Sequence, residues 1–190
     1  MFLVRRPSIS DVERFLSESQ ALPLSYERIG IAKQNPSGFR VDEYNSIVGH
    51  GAAALERAKA ALRAWKHFEL GWLEVVPKNA PVAPGTVVAV LVSHLGFWSL
   101  NGCRVVYLLG AENPREFGFA YGTLSNHAEA GEEIFKVSLS EETGAVTYQI
   151  RAVSRPRALL ARLGHPVART LQARFRRDSA RALAGAISRD

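Results

Sequence analysis

Between Trp72 and Val153 the sequence has no segment of helical periodicity, so this part of the chain can bury its apolar side chains only as sheet. With no crossover helix to join parallel neighbours, the strands must run antiparallel. Val87 to Ser93 is a continuous apolar run behind Pro84-Gly85, Asn101-Gly102 marks a turn into a strand from Cys103 to Leu109, and Gly110 to Pro114 turns the chain again. The next strand has two unlike faces, with Phe117, Phe119, Tyr121 and Thr123 on one and Gly118, Ala120 and Gly122 on the other. A glycine face invites close approach by another backbone or strong bending. Glu133, Phe135, Val137 and Leu139 then alternate, Glu141 to Gly144 makes a hairpin turn, and Val146, Tyr148, Ile150 and Ala152 alternate in the last strand.

The stretch that follows, Arg155 to Ile187, is helical in pattern. Gly164-His165-Pro166 divides it into a short segment and a long helix starting near Pro166, because Gly suits the residue after a helix and Pro the first position of the next. At 100° per residue, Val167, Ala168, Leu171, Phe175, Ala182, Leu183 and Ala186 share one arc, which is the face to be buried. Arg169, Arg174, Arg176, Arg177 and Arg181 lie opposite, with Asp178 spaced to meet Arg174 and Arg181. Gln172 and Ser179 fall inside the apolar arc, where a buried amide or hydroxyl needs a partner; they face a cavity or bond to neighbouring backbone.

Upstream of the strands, Ser10 to Glu13 reads as a capping box for a short peripheral helix within residues 1–25, with Val12, Phe15 and Leu16 on one side. Phe39 to Val48 has strand character. Gly49-His50-Gly51 leads into a helix ending near Trp65, with Leu55, Ala58, Leu62 and Trp65 on its buried side. Gly49-x-Gly51-x-x-Ala54 imitates a dinucleotide-binding turn, but a doubly wound fold needs alternating strands and helices, which the next stretch lacks. The order strand, helix, about six antiparallel strands and a long half-apolar helix gives an α+β fold. A curved antiparallel sheet of six or seven strands wraps around the C-terminal helix in the arrangement called a helix-grip.

At 190 residues and 47% hydrophobic composition, the chain is expected to form a single domain over residues 1–190. Its one cysteine, Cys103, excludes an internal disulfide, Phe2-Leu3-Val4 is too short for a signal peptide, and no run approaches the ~18 apolar residues of a membrane span, so a soluble cytoplasmic protein is expected. Of the net charge of +6, the region from Arg155 onward holds nine Arg against two Asp. Arg169, Arg176 and Arg177 therefore offer a surface for an anionic or acidic partner. Nucleic acid is not expected, because the helix has no interleaved exposed aromatics and no helix-turn-helix pattern. No zinc spacing, phosphate loop or nucleophile elbow occurs, and neither a metal nor a cofactor is expected.

Three linked blocks carry a family likeness: Trp98-Ser-Leu-Asn-Gly-Cys-Arg-Val-Val-Tyr107; Phe117-Gly-Phe-Ala-Tyr-Gly-Thr-Leu124 with His127 and Gly131-Glu132-Glu133; and Ser154-Arg-Pro156 through Leu171-Gln-Ala-Arg-Phe175. From about Tyr44 to Ala182 the chain resembles a bacterial and plant family known as domain of unknown function nineteen-ninety. The resemblance implies a START-like helix-grip fold, a superfamily that often encloses an apolar cavity for lipids, steroids or polyketides. It carries no catalytic residue, since the family has no established activity. The family usually has Pro-Gly before the histidine, where this chain has Ser125-Asn126.

The favoured reading is a module that binds a small apolar or amphipathic ligand between sheet and helix. Trp98, Tyr107, Phe119, Tyr121 and Tyr148 are candidates for its walls, with Arg104, Glu133, Gln172 and Ser179 as polar anchors. Glu133 on an inward face needs pairing, hydrogen bonding or protonation, and Arg104 is an available partner. Two alternatives stay open: an enzyme of the cyclase or hydratase type using His127 and a carboxylate in the same cavity, and an interaction domain using the arginine face.

Overall fold

The computed structural model describes residues 2–94, 96–157 and 165–188. Its elements are β1 (Phe2–Leu3), α1 (Ile9–Ser19), β2 (Arg40–His50), α2 (Gly51–Arg63), β3 (Leu73–Val76), β4 (Val87–His94), β5 (Phe97–Leu109), β6 (Glu116–Thr123), β7 (Glu129–Leu139), β8 (Ala145–Pro156) and α3 (His165–Ile187). Short 3-10 turns lie at Ile31–Lys33 and Lys66–Phe68. One curled antiparallel sheet runs β2-β8-β7-β6-β5-β4-β3, with β1 added beside β5, and α2 and α3 lie in its concave side. This is the helix-grip.

Alternation places Cys103, Val105, Phe119, Tyr121, Phe135, Val137, Val146, Tyr148 and Ile150 on the concave face, where they form one core with Leu55, Ala58 and Leu62 of α2 and Phe175 and Leu183 of α3. The convex face is covered too. Phe15 of α1 meets Ala89, Leu91 and Leu100, and Tyr26, Ile31 and Ala32 of the loop before β2 meet Ala120, Ile134 and Val153. Burial on both faces explains why the middle strands read as nearly continuous apolar runs.

Three local expectations are corrected. Asn101-Gly102 is not a turn: β5 runs unbroken through both residues, and the chain reverses at Gly96 instead, with φ +78°. A Cβ at position 102 would collide with the Asn126 side chain, so this glycine serves close approach, while Asn101 Nδ2 donates to Ser99 Oγ at 3.1 Å. The capping box belongs to Ser8, whose Oγ accepts from Asp11 N while Asp11 Oδ2 accepts from Ser8 N. The buried stripe of α3 is turned from the expected arc: Phe175, Ser179, Ala180, Leu183 and Ile187 are buried, whereas Leu171, Ala182 and Ala186 are half-buried. The short helical segment expected before Gly164 falls on residues 158–164, outside the described residues, as do the side chains of Val167 and Ala168.

The convex loop is held by a carboxylate. Glu132, buried at 2% exposure, accepts from Tyr26 Oη (2.9 Å), Tyr107 Oη (2.6 Å), Gly30 N (2.9 Å) and Ala32 N (3.2 Å). Gly122 is the matching close approach, since any side chain there would occupy the Tyr26 phenol. An amide in place of this carboxylate turns one acceptor into a donor facing donors. Glu132→Gln should therefore cost about 2–3 kcal/mol and raise amide hydrogen exchange at Gly30 and Ala32; unchanged exchange at those two amides would show that the carboxylate does not hold the loop.

Candidate functional site

The concave groove has an apolar end and a polar end. The apolar end is filled by rings from the chain itself. The turn after α2 delivers Trp65, His67 and Phe68 into the space under α3, where Phe68 lies 5.2 Å from Phe175 and 5.4 Å from Phe135, and Trp65 4.9 Å from Phe119. Trp65 adopts φ +57° there, and its Nε1 donates to Ala80 O at 2.8 Å. His67 is fully buried between Trp65 and Phe135, with neither ring nitrogen hydrogen-bonded, and burial alone pushes its pKa down to about 3.

At the polar end, strand alternation brings Tyr121 of β6, Glu133 of β7 and Asp42 of β2 onto the face that meets the first half of α3. Tyr121 Oη donates to Glu133 Oε2 at 2.8 Å. Burial pushes the Glu133 carboxyl up to about 7, opposed by that hydrogen bond and by the charge of Arg176, and reinforced by the nearby charges of Glu129 and Asp42. Gln172 of α3 donates to both carboxylate oxygens of Glu129, at 2.9 and 3.0 Å, and Arg176 stands 4.0 Å from Asp42. Deeper in the groove, Tyr148 Oη and Ser179 Oγ are 2.9 Å apart and tie helix to sheet. Among the described residues, no Lys, Arg or His lies within ion-pair range of Glu133.

Six of the ten expected site residues come together. Tyr121, Glu133, Gln172, Phe119, Tyr148 and Ser179 all face the groove, with Phe119 and Tyr148 in the packed core. Trp98, Arg104 and Tyr107 lie on the convex face. Trp98 packs beside Leu100 under Arg6, Tyr107 bonds Glu132, and Arg104 caps the end of α1 by donating to Gln20 O and Leu22 O. The Arg104–Glu133 pair is therefore not formed, because Arg104 pairs in register with Gly122 and Glu132, one residue off. His127 is a turn residue: its N–H closes onto Leu124 O with Ser125-Asn126 between, its Nδ1 accepts from Glu129 N, and burial lowers its pKa to about 4. Burial raises the Cys103 thiol, which leaves it inert.

The sequence reading missed Glu132 and His67. Glu132 was visible only as the neighbour of Glu133, which alternation must send to the opposite face; His67 carried no signal beyond an aromatic neighbourhood. The arginine face is partly self-neutralised, with Asp178 within reach of Arg174 and Arg181 and Arg176 turned toward Asp42, and Arg169 is half-buried, so of Arg169, Arg176 and Arg177 the exposed remainder is Arg177. Among the described residues, no helix is long and apolar enough to cross a membrane.

The profile of Domain of unknown function (DUF1990) matches residues 25–182. A UPF0548 protein of Dictyostelium discoideum is 33% identical over 98% of this chain and 96% of its own length, and a UPF0548 protein of Deinococcus radiodurans is 34% identical over 96% and 97%. Among solved structures, the Zhui aromatase/cyclase from a Streptomyces species is similar in fold, with a TM-score of 0.54 at 15% identity over 80% of this chain and 94% of that one.

Proposed function

Since the chain belongs to the DUF1990 family and folds as a helix-grip, we propose that it is a single START-like domain over residues 1–190 that binds a small amphipathic ligand at the polar end of the groove. The anchors in this reading are Glu133 and Tyr121 from the sheet and Gln172 from α3, with the rings of Phe119, Tyr148 and Phe175 as the floor behind them. One observation carries it: a half-buried carboxyl on the concave face, Glu133, has a tyrosine hydroxyl as its partner and no cation within ion-pair range among the described residues, with Arg176 acting on it only from farther off. A carboxyl placed for architecture has its oxygens filled by donors, as Glu132 has on the other face; one left with unused hydrogen-bonding capacity suits a polar group from outside. The apolar end, already filled by Trp65, His67 and Phe68, confines the ligand to the polar end and to modest size. A buried Cys103 suits a cytoplasmic setting.

The second reading, an enzyme of the cyclase or hydratase type, is favoured by the elevated Glu133 carboxyl, which near pH 7 exchanges a proton readily. In that reading Glu133 and Tyr121 replace His127 as the acid–base pair.

Native mass spectrometry of the protein purified from its own host tests the binding. The expected spectrum shows a small-molecule adduct that disappears on denaturation and is lost from the Glu133→Gln, Tyr121→Phe double variant, while circular dichroism stays unchanged. A bare wild-type mass, together with no rise in Tm when a lipid extract of the same host is added, would overturn the proposal.

A further inference from the structure

A second concavity lies outside the groove, where the last turns of α2 meet the turn between β5 and β6. It has a volume of about 270 Å³ and is lined by Lys59, Arg63, Leu108, Leu109, Pro114 and Phe117 among others, close to the lower end of the ~300–1,000 Å³ of small-molecule sites. One wall is apolar: Phe117 is buried, and Leu108 is one of the few large apolar side chains left exposed. The other wall is cationic. The Arg63 guanidinium carbon sits 3.9 Å from the centre of the Phe117 ring, which holds the group against that ring, and its N–H groups make no hydrogen bond among the described residues. Lys59 is buried, with Nζ donating to Glu56 Oε1 and Pro114 O, so two of its three N–H groups are taken. Glu56 offsets Lys59, and Glu116 at the rim is matched by Lys136 at 3.7 Å. The uncompensated charge is that of Arg63, a single positive charge beside an apolar floor.

We propose that this concavity binds an amphipathic carboxylate, its head held by Arg63 with Lys59 behind it and its apolar body laid on Leu108, Leu109 and Phe117. Arginine presents paired N–H groups in the geometry a carboxylate accepts, and the ring beneath holds that fork in place before the ligand arrives. The site is independent of Glu133, which faces the concave groove.

The test uses the full chain, sodium octanoate as the probe, and 1-octanol as its neutral counterpart. Titration followed by amide resonances should move the signals of Leu108, Leu109 and Phe117, and calorimetry should show octanoate binding at least about tenfold tighter than octanol. Because Arg63 is exposed, Arg63→Gln leaves the fold intact, and it should weaken octanoate at least about tenfold; Lys59→Met is the confirming variant if it folds. Glu133→Gln should leave octanoate affinity unchanged, which separates this site from the groove. Resonances that stay still, equal affinity in Arg63→Gln, or equal binding of octanol would each overturn the proposal.

Discussion

Phe175→Ala should lower the unfolding free energy by about 3–5 kcal/mol, the range of large aromatic truncations in cores. Phe175 is the main ring that α3 lowers into the groove, 5.2 Å from Phe68 and 6.3 Å from Phe135. It therefore holds together three elements at once: the helix, the turn after α2 and strand β7. The neighbours cannot close the space left by its removal without moving the sheet or the helix, since Leu183 and Tyr148 are themselves fully buried. Urea unfolding at neutral pH measures the cost. A loss below about 1 kcal/mol would mean that α3 does not grip the sheet through this residue.

His67→Leu should flatten the acid side of the stability curve. The folded pKa of His67, about 3, is depressed below its ordinary 6.5 by burial, so between those values the unfolded chain binds a proton that the folded one refuses. Stability supplied by the neutral ring is fully present above pH 6.5 and is lost as pH falls toward 3. At 1.36 kcal/mol per unit, the wild type should lose about 3 kcal/mol more than the variant between pH 7 and pH 4. His127, lowered to about 4 by its own burial, adds a loss of the same sign in both proteins and cancels in the comparison. At pH 7 the substitution should not destabilise by more than about 1 kcal/mol, because leucine has similar volume and removes two buried nitrogens without partners. Denaturant midpoints at pH 7, 5.5 and 4 decide this; parallel curves for the two proteins would show that His67 is solvated or partnered in solution.

These two residues mark the limit of what could be read without coordinates. Phe175 belonged to a visible 3.6-residue pattern, and the sequence placed it correctly under the helix. His67 sits in a short turn after a helix, a place where pattern has no period to report, and only the closure of the sheet around α3 makes that turn a plug of the interior.

What the sequence alone determined about this protein is whatever depends on local periodicity. Period-two alternation from Phe117 to Ala152 defined the strands and their two faces, the Gly51 to Trp65 and Pro166 to Ile187 patterns defined the helices, and their order left the helix-grip as the arrangement that buries both. The family likeness added the expectation of a START-like fold. Tertiary structure decided every pairing that crosses strands. Arg104 and Glu133 each lie on a well-formed strand, yet whether they share a face depends on register carried across β5, β6 and β7, where a shift of one residue exchanges the faces. The same rule sends Glu132 outward to four donors and Glu133 inward to Tyr121. Two adjacent glutamates of identical chemistry thus become a structural anchor and a candidate site, because register is set by contacts distant in sequence that no local pattern records.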